Sequence, residues 1–345
     1  MTQTPTRSRP ATSDDKAPDA ASHRKAIPAF AGRAGLGLAR YGIVLSFAAL
    51  FTVLSILSHP FLSRVNLLNV LDANAAVAMT ACAGTLVVIA GDLDISVGGI
   101  FALSGVVAAK VTILSSSVGL GILAGCATGA AAGLFNGLIV AVGRVNSFVA
   151  TLATGIMFQS VALVLAAGNT LAPVQSSYTT LGRGTLLGVT YGIWLALLVV
   201  LLTGFLLSRA RFGRQTLIVG CNPVAARLSG IPVSAVRCLA LTLSGAAAGL
   251  ADVIVTSRSA QTDANVGGTT FVLAVIAAIA VGGTSLRGGQ GAIWRTVLGV
   301  LFLGLVANGL NLLNVEPTYQ QVVTGVLILL AVTVDSLGRR TAGTT

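Results

Sequence analysis

Long apolar stretches separated by short polar ones make up most of the chain. From about residue 38 onward, these stretches approach the roughly 20 residues that an α-helix needs to cross a bilayer. The pattern predicts ten transmembrane helices, over about residues 38–57, 66–90, 95–114, 118–142, 147–167, 188–207, 236–257, 268–283, 291–312 and 318–335. We therefore expect an all-α polytopic membrane protein, with a transmembrane domain over residues 35–337. The preceding residues are rich in Ser, Thr, Pro and charge, which predicts a disordered tail over residues 1–34.

Composition supports this prediction. Of the 345 residues, 54% are hydrophobic and 9% are charged, whereas a soluble domain carries about 25% charged residues. The net charge of +11 is spread over short polar gaps without a basic stripe or interleaved aromatics, which argues against a nucleic-acid partner. The four cysteines are widely spaced and there are two histidines, so no metal-ligand spacing occurs.

The basic residues predict an orientation. With a cytoplasmic N-terminus, four of the 21 Lys and Arg residues fall outside, namely Arg64, Lys110, Arg183 and Arg258. Since cytoplasmic connections carry the excess of Lys and Arg, both termini are expected in the cytoplasm, including a C-terminal tail over residues 338–345.

One pattern occurs twice in the chain. The first copy consists of Asp94–Gly99, Asn136–Leu138 and Thr154–Gly155. The second copy consists of Asp263–Gly268, Asn308–Leu310 and Thr324–Gly325. In the predicted topology the copies start on opposite faces of the membrane, which indicates inverted halves over about residues 66–167 and 236–335. Such halves are typical of transporters that alternate access around a site near the midplane, so solute translocation is the first hypothesis.

The stretch from Gly91 to Gly99 interrupts an apolar region with two carboxylates and three glycines. Charged groups at membrane depth usually face a cavity or a partner, and glycines let the backbone leave the helix. The acids have two compatible interpretations, which are capping of the next helix and contact with a solute. Polar residues inside the spans likewise either line a pathway or hydrogen-bond between helices, and a lone aromatic either stacks on a sugar or fills a core. The candidate pathway residues are Asp92, Asp94, Ser96, Asn136, Phe148, Thr151 and Asn308.

The connection over residues 208–235 is the longest and most basic one on the predicted inner side. Asn222 suits a helix N-cap, Pro223 the first helical position and Gly230 the stop, which predicts a short helix over Asn222–Ser229. This helix either docks into a groove of another protein or belongs to a solvated basic loop.

Four stretches carry a resemblance to a known family: Gly91–Ala109, Gly133–Thr154, Phe212–Ile231 and Ile276–Gly291. Through them the chain resembles, from about residue 41 to 337, the permease subunits of bacterial ABC importers for ribose, xylose, galactose and related monosaccharides. The resemblance implies a multi-pass protein of the inner membrane, in contact with lipid, that carries a monosaccharide. It implies a second permease subunit, most simply an identical one, a cytoplasmic ATPase that binds ATP and Mg, and a periplasmic or lipid-anchored sugar-binding protein. No cofactor is expected in this chain.

In that family the connection between the halves bears a coupling helix that contacts the ATPase. By resemblance it corresponds here to Gly220, Asn222, Ala225, Ala226, Arg227, Ser229 and Gly230. The chain departs from the family pattern where Val272 and Ala274 replace the usual Glu and Asp, and where Arg295 replaces a glycine. These differences put an ordinary sugar substrate in doubt.

The chain contains no Gly-x-x-x-x-Gly-Lys-Ser/Thr loop, so it is not expected to hydrolyse ATP by itself, and it offers no nucleophile–base pair. We therefore expect a transport subunit rather than an enzyme. Two alternatives remain open at this point. One is an ion-coupled secondary transporter in which Asp92 and Asp94 bind the ion, and the other is an ABC permease for another small polar solute, such as branched-chain amino acids.

Overall fold

The computed structural model describes residues 29–265, 267–316, 318–320, 322–323, 325–326 and 329. The twelve helices of this part of the chain are α1 (Ala29–Leu57), α2 (Arg64–Ile89), α3 (Val97–Ser115), α4 (Val118–Ala141), α5 (Ser147–Ala166), α6 (Thr180–Arg183), α7 (Tyr191–Ser208), α8 (Arg211–Cys221), α9 (Pro223–Leu228), α10 (Val233–Ser259), α11 (Thr269–Val281) and α12 (Ile293–Leu312). Short 3₁₀ helices cover His59–Leu62 and Ser176–Thr179. The strands β1 (Thr185–Leu186) and β2 (Val189–Thr190) form an antiparallel hairpin with Thr185 opposite Thr190.

Seven of the described helices are long and apolar enough to cross a membrane, namely α2, α3, α4, α5, α7, α10 and α12. Residues 42–57 of α1 and the whole of α11 are shorter apolar helices. The all-α polytopic fold is therefore confirmed. The tenth predicted span, over residues 318–335, lies largely outside the described residues, so the number ten stays a prediction.

The predicted tails fall mostly outside the described residues, which exclude 1–28 and 331–345. Helix α1 begins at Ala29, inside the segment predicted to be disordered. The predicted connection over residues 208–235 is present, and α8 and α9 make most of it helical. Helix α8 is amphipathic, and its Thr216 and Val219 are buried against the bundle.

Helix α10 lies at the centre of the bundle and packs against α2, α3 and α4. Its Ala251 and Ile254 share an apolar cluster with Met79 of α2 and Phe101 of α3. Closer to its start, Leu241 packs in a second cluster with the end of α2. An element packed against three neighbours in this way keeps a fixed position relative to them, because close-packed interiors resist displacement.

Glycines allow α4 and α10 to approach each other with their backbones in contact. Helix α4 carries a glycine at every fourth position, at Gly121, Gly125, Gly129, Gly133 and Gly137. A Cβ on Gly129 would lie 2.6 Å from the carbonyl oxygen of Gly245 in α10. Small residues at this spacing are a common means of close helix packing in membranes.

Candidate translocation pathway and coupling helix

The segment between α2 and α3 is extended, and its backbone is held by side chains of α5. Gly91 adopts a φ of +87°, a conformation that favours glycine, and so lets the chain leave α2. The Leu93 N–H donates to the Ser147 hydroxyl at 3.3 Å, and the Ile95 N–H donates to the Thr151 hydroxyl at 3.1 Å. The predicted pathway residue Thr151 thus satisfies a non-helical backbone that lipid could not satisfy.

Three predicted pathway residues form one buried hydrogen-bonded chain. The Asn136 side-chain amide donates to the Ser96 hydroxyl at 2.6 Å, and this hydroxyl donates to the Asp94 carboxylate at 2.5 Å. The Ser96 N–H also donates to Asp94, at 3.1 Å. The Asn136 carbonyl oxygen has no hydrogen-bond partner among the described residues, whereas the Asp94 carboxylate also has the Ser244 hydroxyl beside it. The arrangement therefore supports a framework role and leaves one buried acceptor, on Asn136, open to a solute or water.

Asp92 does not belong to this hydrogen-bonded network. It lies on the side of the α2–α3 connection that is next to α10. Its carboxylate is buried and lies 3.3 Å from Nε of Arg237. Burial raises the pKa of Asp92, and the Arg237 charge and a hydrogen bond from Ser147 act in the opposite direction. Burial likewise raises the pKa of Asp94, partly offset by its bonds from Ser96.

Asp92 borders a polar cavity of about 620 Å³. The cavity lies between the connection from α4 to α5, the short helix α9 and the first turn of α10. It therefore joins the extended segment after α2 to the region predicted to carry the coupling helix.

The other two predicted pathway residues lie elsewhere. Phe148, at the start of α5, has 48% of its surface exposed and is absent from the cavity wall. Asn308 of α12 exchanges two amide hydrogen bonds with Asn66 of α2, at 2.8 and 3.1 Å. Asn308 therefore joins two helices, which is the interhelical interpretation of that residue.

The two copies of the repeat meet at their glycine pairs. A Cβ on Gly98 of the first copy would lie 2.1 Å from the carbonyl oxygen of Gly267 in the second. Next to this contact, the rings of Phe101 and Phe271 lie 4.3 Å apart. The first turns of α3 and α11 consequently face each other inside the bundle, and the inverted arrangement of the two halves stays a prediction. Val266 and Thr324 of the second copy lie outside the described residues.

The short helix predicted from Asn222 is present as α9. The Asn222 side-chain oxygen accepts the N–H groups of Val224 and Ala225, each at 3.0 Å, and Gly230 ends the turn with a φ of +77°. These contacts confirm the predicted N-cap and stop.

Burial divides α9 into an inner and an outer face. Ala226 is fully buried against Val219 and Val236, so it anchors the helix and cannot contact a partner. The outer face presents Val224, 63% exposed, and Leu228, 86% exposed. The sequence interpretation missed this pair, although two apolar residues four apart on a short helix are a recognisable signal. Ala225, Arg227 and Ser229 are also exposed.

A set of glycines connects the base of α9 to the end of α2. A Cβ on Gly220 would lie 1.8 Å from the carbonyl oxygen of Ile89, and the N–H of Gly289 donates to that same oxygen at 2.8 Å. A Cβ on Gly288 would lie 2.8 Å from Cα of Gly91. These backbone contacts join the end of α8, which directly precedes α9, to the end of α2 and the start of the Asp92 segment.

The opposite end of the bundle is closed by a second ion pair. Arg258, at the end of α10, lies 2.7 Å from the carboxylate of Asp72 in α2, which also accepts the Thr190 hydroxyl at 2.6 Å. The Arg183 side chain donates to the Arg258 carbonyl at 2.7 Å. Arg237 and Arg258 lie about 32 Å apart along α10, comparable to a bilayer core. Ion pairs therefore join α10 near its two ends to other elements, to the segment after α2 through Asp92 and to α2 itself through Asp72.

The positions that depart from the family pattern have distinct surroundings. Val272 is buried with Val97, Ile100 and Ala132, where a carboxylate would be costly. Arg295 lies with its guanidinium 5.3 Å from the Trp294 ring. Among the described residues, no three His, Cys, Asp or Glu side chains cluster as a metal site requires.

Comparisons with known proteins agree with these features. A family model described as "Branched-chain amino acid transport system / permease component" matches residues 66–332. The chain is 39% identical over 302 residues to the ribose import permease protein RbsC of Escherichia coli (strain K12), covering 85% of this chain and 92% of that protein. It is 39% identical over 300 residues to RbsC of Bacillus subtilis (strain 168), covering 86% and 92%.

A further relative is the L-arabinose transport system permease protein AraH of Escherichia coli (strain K12), 35% identical over 298 residues, with 86% of this chain and 90% of that protein covered. No solved structure matches the chain. The chain therefore belongs to this family of transport-system permease components, and it is a multi-pass membrane permease of the ABC-importer type rather than an enzyme.

Proposed function

We propose that this chain carries a monosaccharide such as ribose across the inner membrane, with α9 as the helix through which a separate ATPase drives transport. The observation that carries the proposal is the exposed apolar pair Val224 and Leu228 on a helix whose inner face is anchored by buried Ala226. Water does not favour two large exposed apolar side chains on so short a helix, whereas an apolar groove of a partner would cover them.

The energy of ATP hydrolysis reaches the pathway through backbone contacts. The ATPase holds ATP and Mg, and its movement displaces α9. The contacts of Gly220 and Gly289 with Ile89 pass this displacement to the extended segment that carries Asp92 and Asp94. The Asp92–Arg237 ion pair then lies at one membrane face and the Asp72–Arg258 ion pair at the other. Each pair opens in turn as the two halves of the bundle rock against each other.

A second copy of the chain completes the pathway. Phe271 near the start of α11 packs in the same cluster as Val77, close to the middle of α2, so α11 begins well inside the bilayer. Asn265, Thr269 and Thr270 are nevertheless exposed there. Lipid cannot satisfy polar groups and non-helical backbone at this depth, so a neighbouring permease subunit or an enclosed water-filled passage must cover them.

The α9 end of the bundle faces the cytoplasm in this proposal. Arg144, Arg227 and Arg237 gather at that end, which follows the positive-inside rule and places both termini in the cytoplasm. The opposite end, with Asp72 and Arg258, then faces the sugar-binding protein.

The relatives favour a sugar over an amino acid. The family description names branched-chain amino acids, while the relatives at 35–39% identity are named for ribose and arabinose. The buried carbonyl oxygen of Asn136 suits a hydroxyl donor of a sugar. Excess unlabelled ribose should therefore compete with uptake of radiolabelled sugar, and excess leucine should not.

The test of the proposal is Leu228→Asp, which places a charge in the expected ATPase contact. We expect loss of ATP-dependent ribose uptake with normal membrane insertion, because a buried unpaired carboxylate in an apolar groove is costly. Leu187→Asp is the matched control, since Leu187 is 82% exposed in the β1–β2 hairpin and Leu228 is 86% exposed in α9. Normal uptake by the Leu228 variant would disprove the coupling assignment.

A further inference from the structure

The cavity beside α9 carries an excess of positive charge. Its wall includes the three guanidinium groups of Arg144, Arg227 and Arg237 and one carboxylate, that of Asp92. Arg237 is already 3.3 Å from Asp92. In the described part of the chain, neither the Arg144 nor the Arg227 side chain forms an ion pair or donates a hydrogen bond. Two guanidinium groups from different elements thus face one volume without an anionic partner.

The backbone adds positive potential on the same side. Helix α10 begins at Val233 without a side-chain cap, and Val233 and Ser234 belong to the cavity wall. The 20-residue helix α5 begins at Ser147, which also lines the cavity, but its Asn146 cap already accepts the N–H groups of Phe148 and Val149. The N-terminus of a helix carries unpaired N–H groups and a partial positive charge, so the uncapped start of α10 favours an anion in this space.

The floor of the cavity calls for donors rather than acceptors. Asp92 is 5% exposed, and its Oδ2 lies 3.3 Å from Nε of Arg237 in an ion pair that lacks hydrogen-bond geometry. A buried carboxylate oxygen is stabilised by hydroxyl donors. The cavity therefore has two chemically different ends, a cationic wall that suits a phosphate group and an acidic floor that suits hydroxyl groups.

We propose that this cavity binds a polyol phosphate, with the phosphate between Arg144 and Arg227 and the hydroxyl groups directed to Asp92. A volume of about 620 Å³ accommodates such a ligand. Placing the cavity in the cytoplasm relies on the orientation proposed above. Two ligands on that side of the membrane have this chemistry, a soluble sugar phosphate and the glycerol phosphate headgroup of an anionic phospholipid.

The position of Arg227 gives the ligand a regulatory effect. Arg227 belongs to α9, whereas Arg144 belongs to the connection between α4 and α5. A phosphate held by both residues bridges the coupling helix to the bundle and restrains the displacement that drives transport. An imported sugar that is phosphorylated in the cytoplasm would in this way slow its own entry.

The test uses Arg144→Gly, because Arg144 has a φ of +56°, which glycine adopts more readily than arginine. This variant removes the guanidinium without adding backbone strain. Arg211→Gln is the control, since it removes one positive charge from α8, outside the cavity wall. Purified permease in phosphatidylcholine nanodiscs is titrated with a ribose monophosphate, inorganic phosphate and ribose. A parallel series compares thermal stability in phosphatidylglycerol and phosphatidylcholine nanodiscs.

If the ligand is a soluble sugar phosphate, the ribose monophosphate binds the native protein. Its affinity is about tenfold lower for the Arg144 variant and unchanged for the Arg211 variant. For the lipid source, phosphatidylglycerol stabilises the native and Arg211 proteins and not the Arg144 variant. Either result supports the proposal. Absence of both effects, or equal behaviour of the two variants in both series, would overturn it. The titrations need no ATPase and no uptake, so this outcome is separable from failure of the coupling assignment at Leu228.

Discussion

Replacing Gly245 by alanine tests the close approach of α4 and α10. A Cβ at this position would lie 2.5 Å from the carbonyl oxygen of Gly129 and 2.6 Å from Cα of Gly133. Both are backbone atoms in the middle of a helix, so no side-chain rotation can make room. The two helices must separate, and α10 must shift against α2 and α3 as well.

The expected magnitude comes from a matched pair of variants. Gly204 lies in α7, and a Cβ there would have no atom within 4 Å. Alanine at either position gains about 1 kcal/mol of helix propensity over glycine. Overpacking costs about 1–3 kcal/mol and applies to Gly245→Ala alone. The difference in unfolding free energy between the variants therefore isolates the backbone contact.

The assay is thermal unfolding of purified protein in detergent, followed by the loss of the monodisperse peak in size-exclusion chromatography. Gly204→Ala should match or exceed the melting temperature of the native protein. Gly245→Ala should melt several degrees lower than Gly204→Ala, at roughly 2–4 °C per kcal/mol. Equal melting temperatures for the two variants would refute the backbone contact between Gly129 and Gly245.

Two further predictions concern single contacts. Asn222→Ala removes the cap of α9 and should lower the local stability of this helix by about 1 kcal/mol. Hydrogen exchange in residues 223–228 should then be faster, and Asn222→Asp should restore protection. Unchanged exchange would contradict the cap. Asp72→Asn should lower the free energy of unfolding by at most about 1 kcal/mol, because Arg258 is partly exposed. This loss should vanish in an Arg258→Gln background. An equal loss in both backgrounds would show that the pair does not interact.

Features that depend on residues close together along the chain could be predicted from the sequence. Apolar length located the described spans, and Asn222, Pro223 and Gly230 located α9 because capping is decided within a few residues. The repeated Gly-Gly motif predicted related halves, and the contact between Gly98 and Gly267 was not part of that prediction.

Contacts between distant segments were not predictable in the same way. Asp72 and Arg258 are 186 residues apart, and their pairing depends on how α2 and α10 are placed against each other. The same holds for Asn308, which pairs with Asn66 rather than with the residues around Asp94. Ala226 was assigned to the partner contact because a short helix without its neighbours does not reveal which face is buried.

The central claim is that this permease moves sugar only with energy delivered through α9. The most direct measurement is the accumulation of radiolabelled ribose in proteoliposomes that contain the permease with or without its ATPase, in the presence of the sugar-binding protein. The account predicts accumulation that requires both the ATPase and ATP and that Leu228→Asp abolishes. Accumulation by the permease alone, driven by an ion gradient, would contradict it.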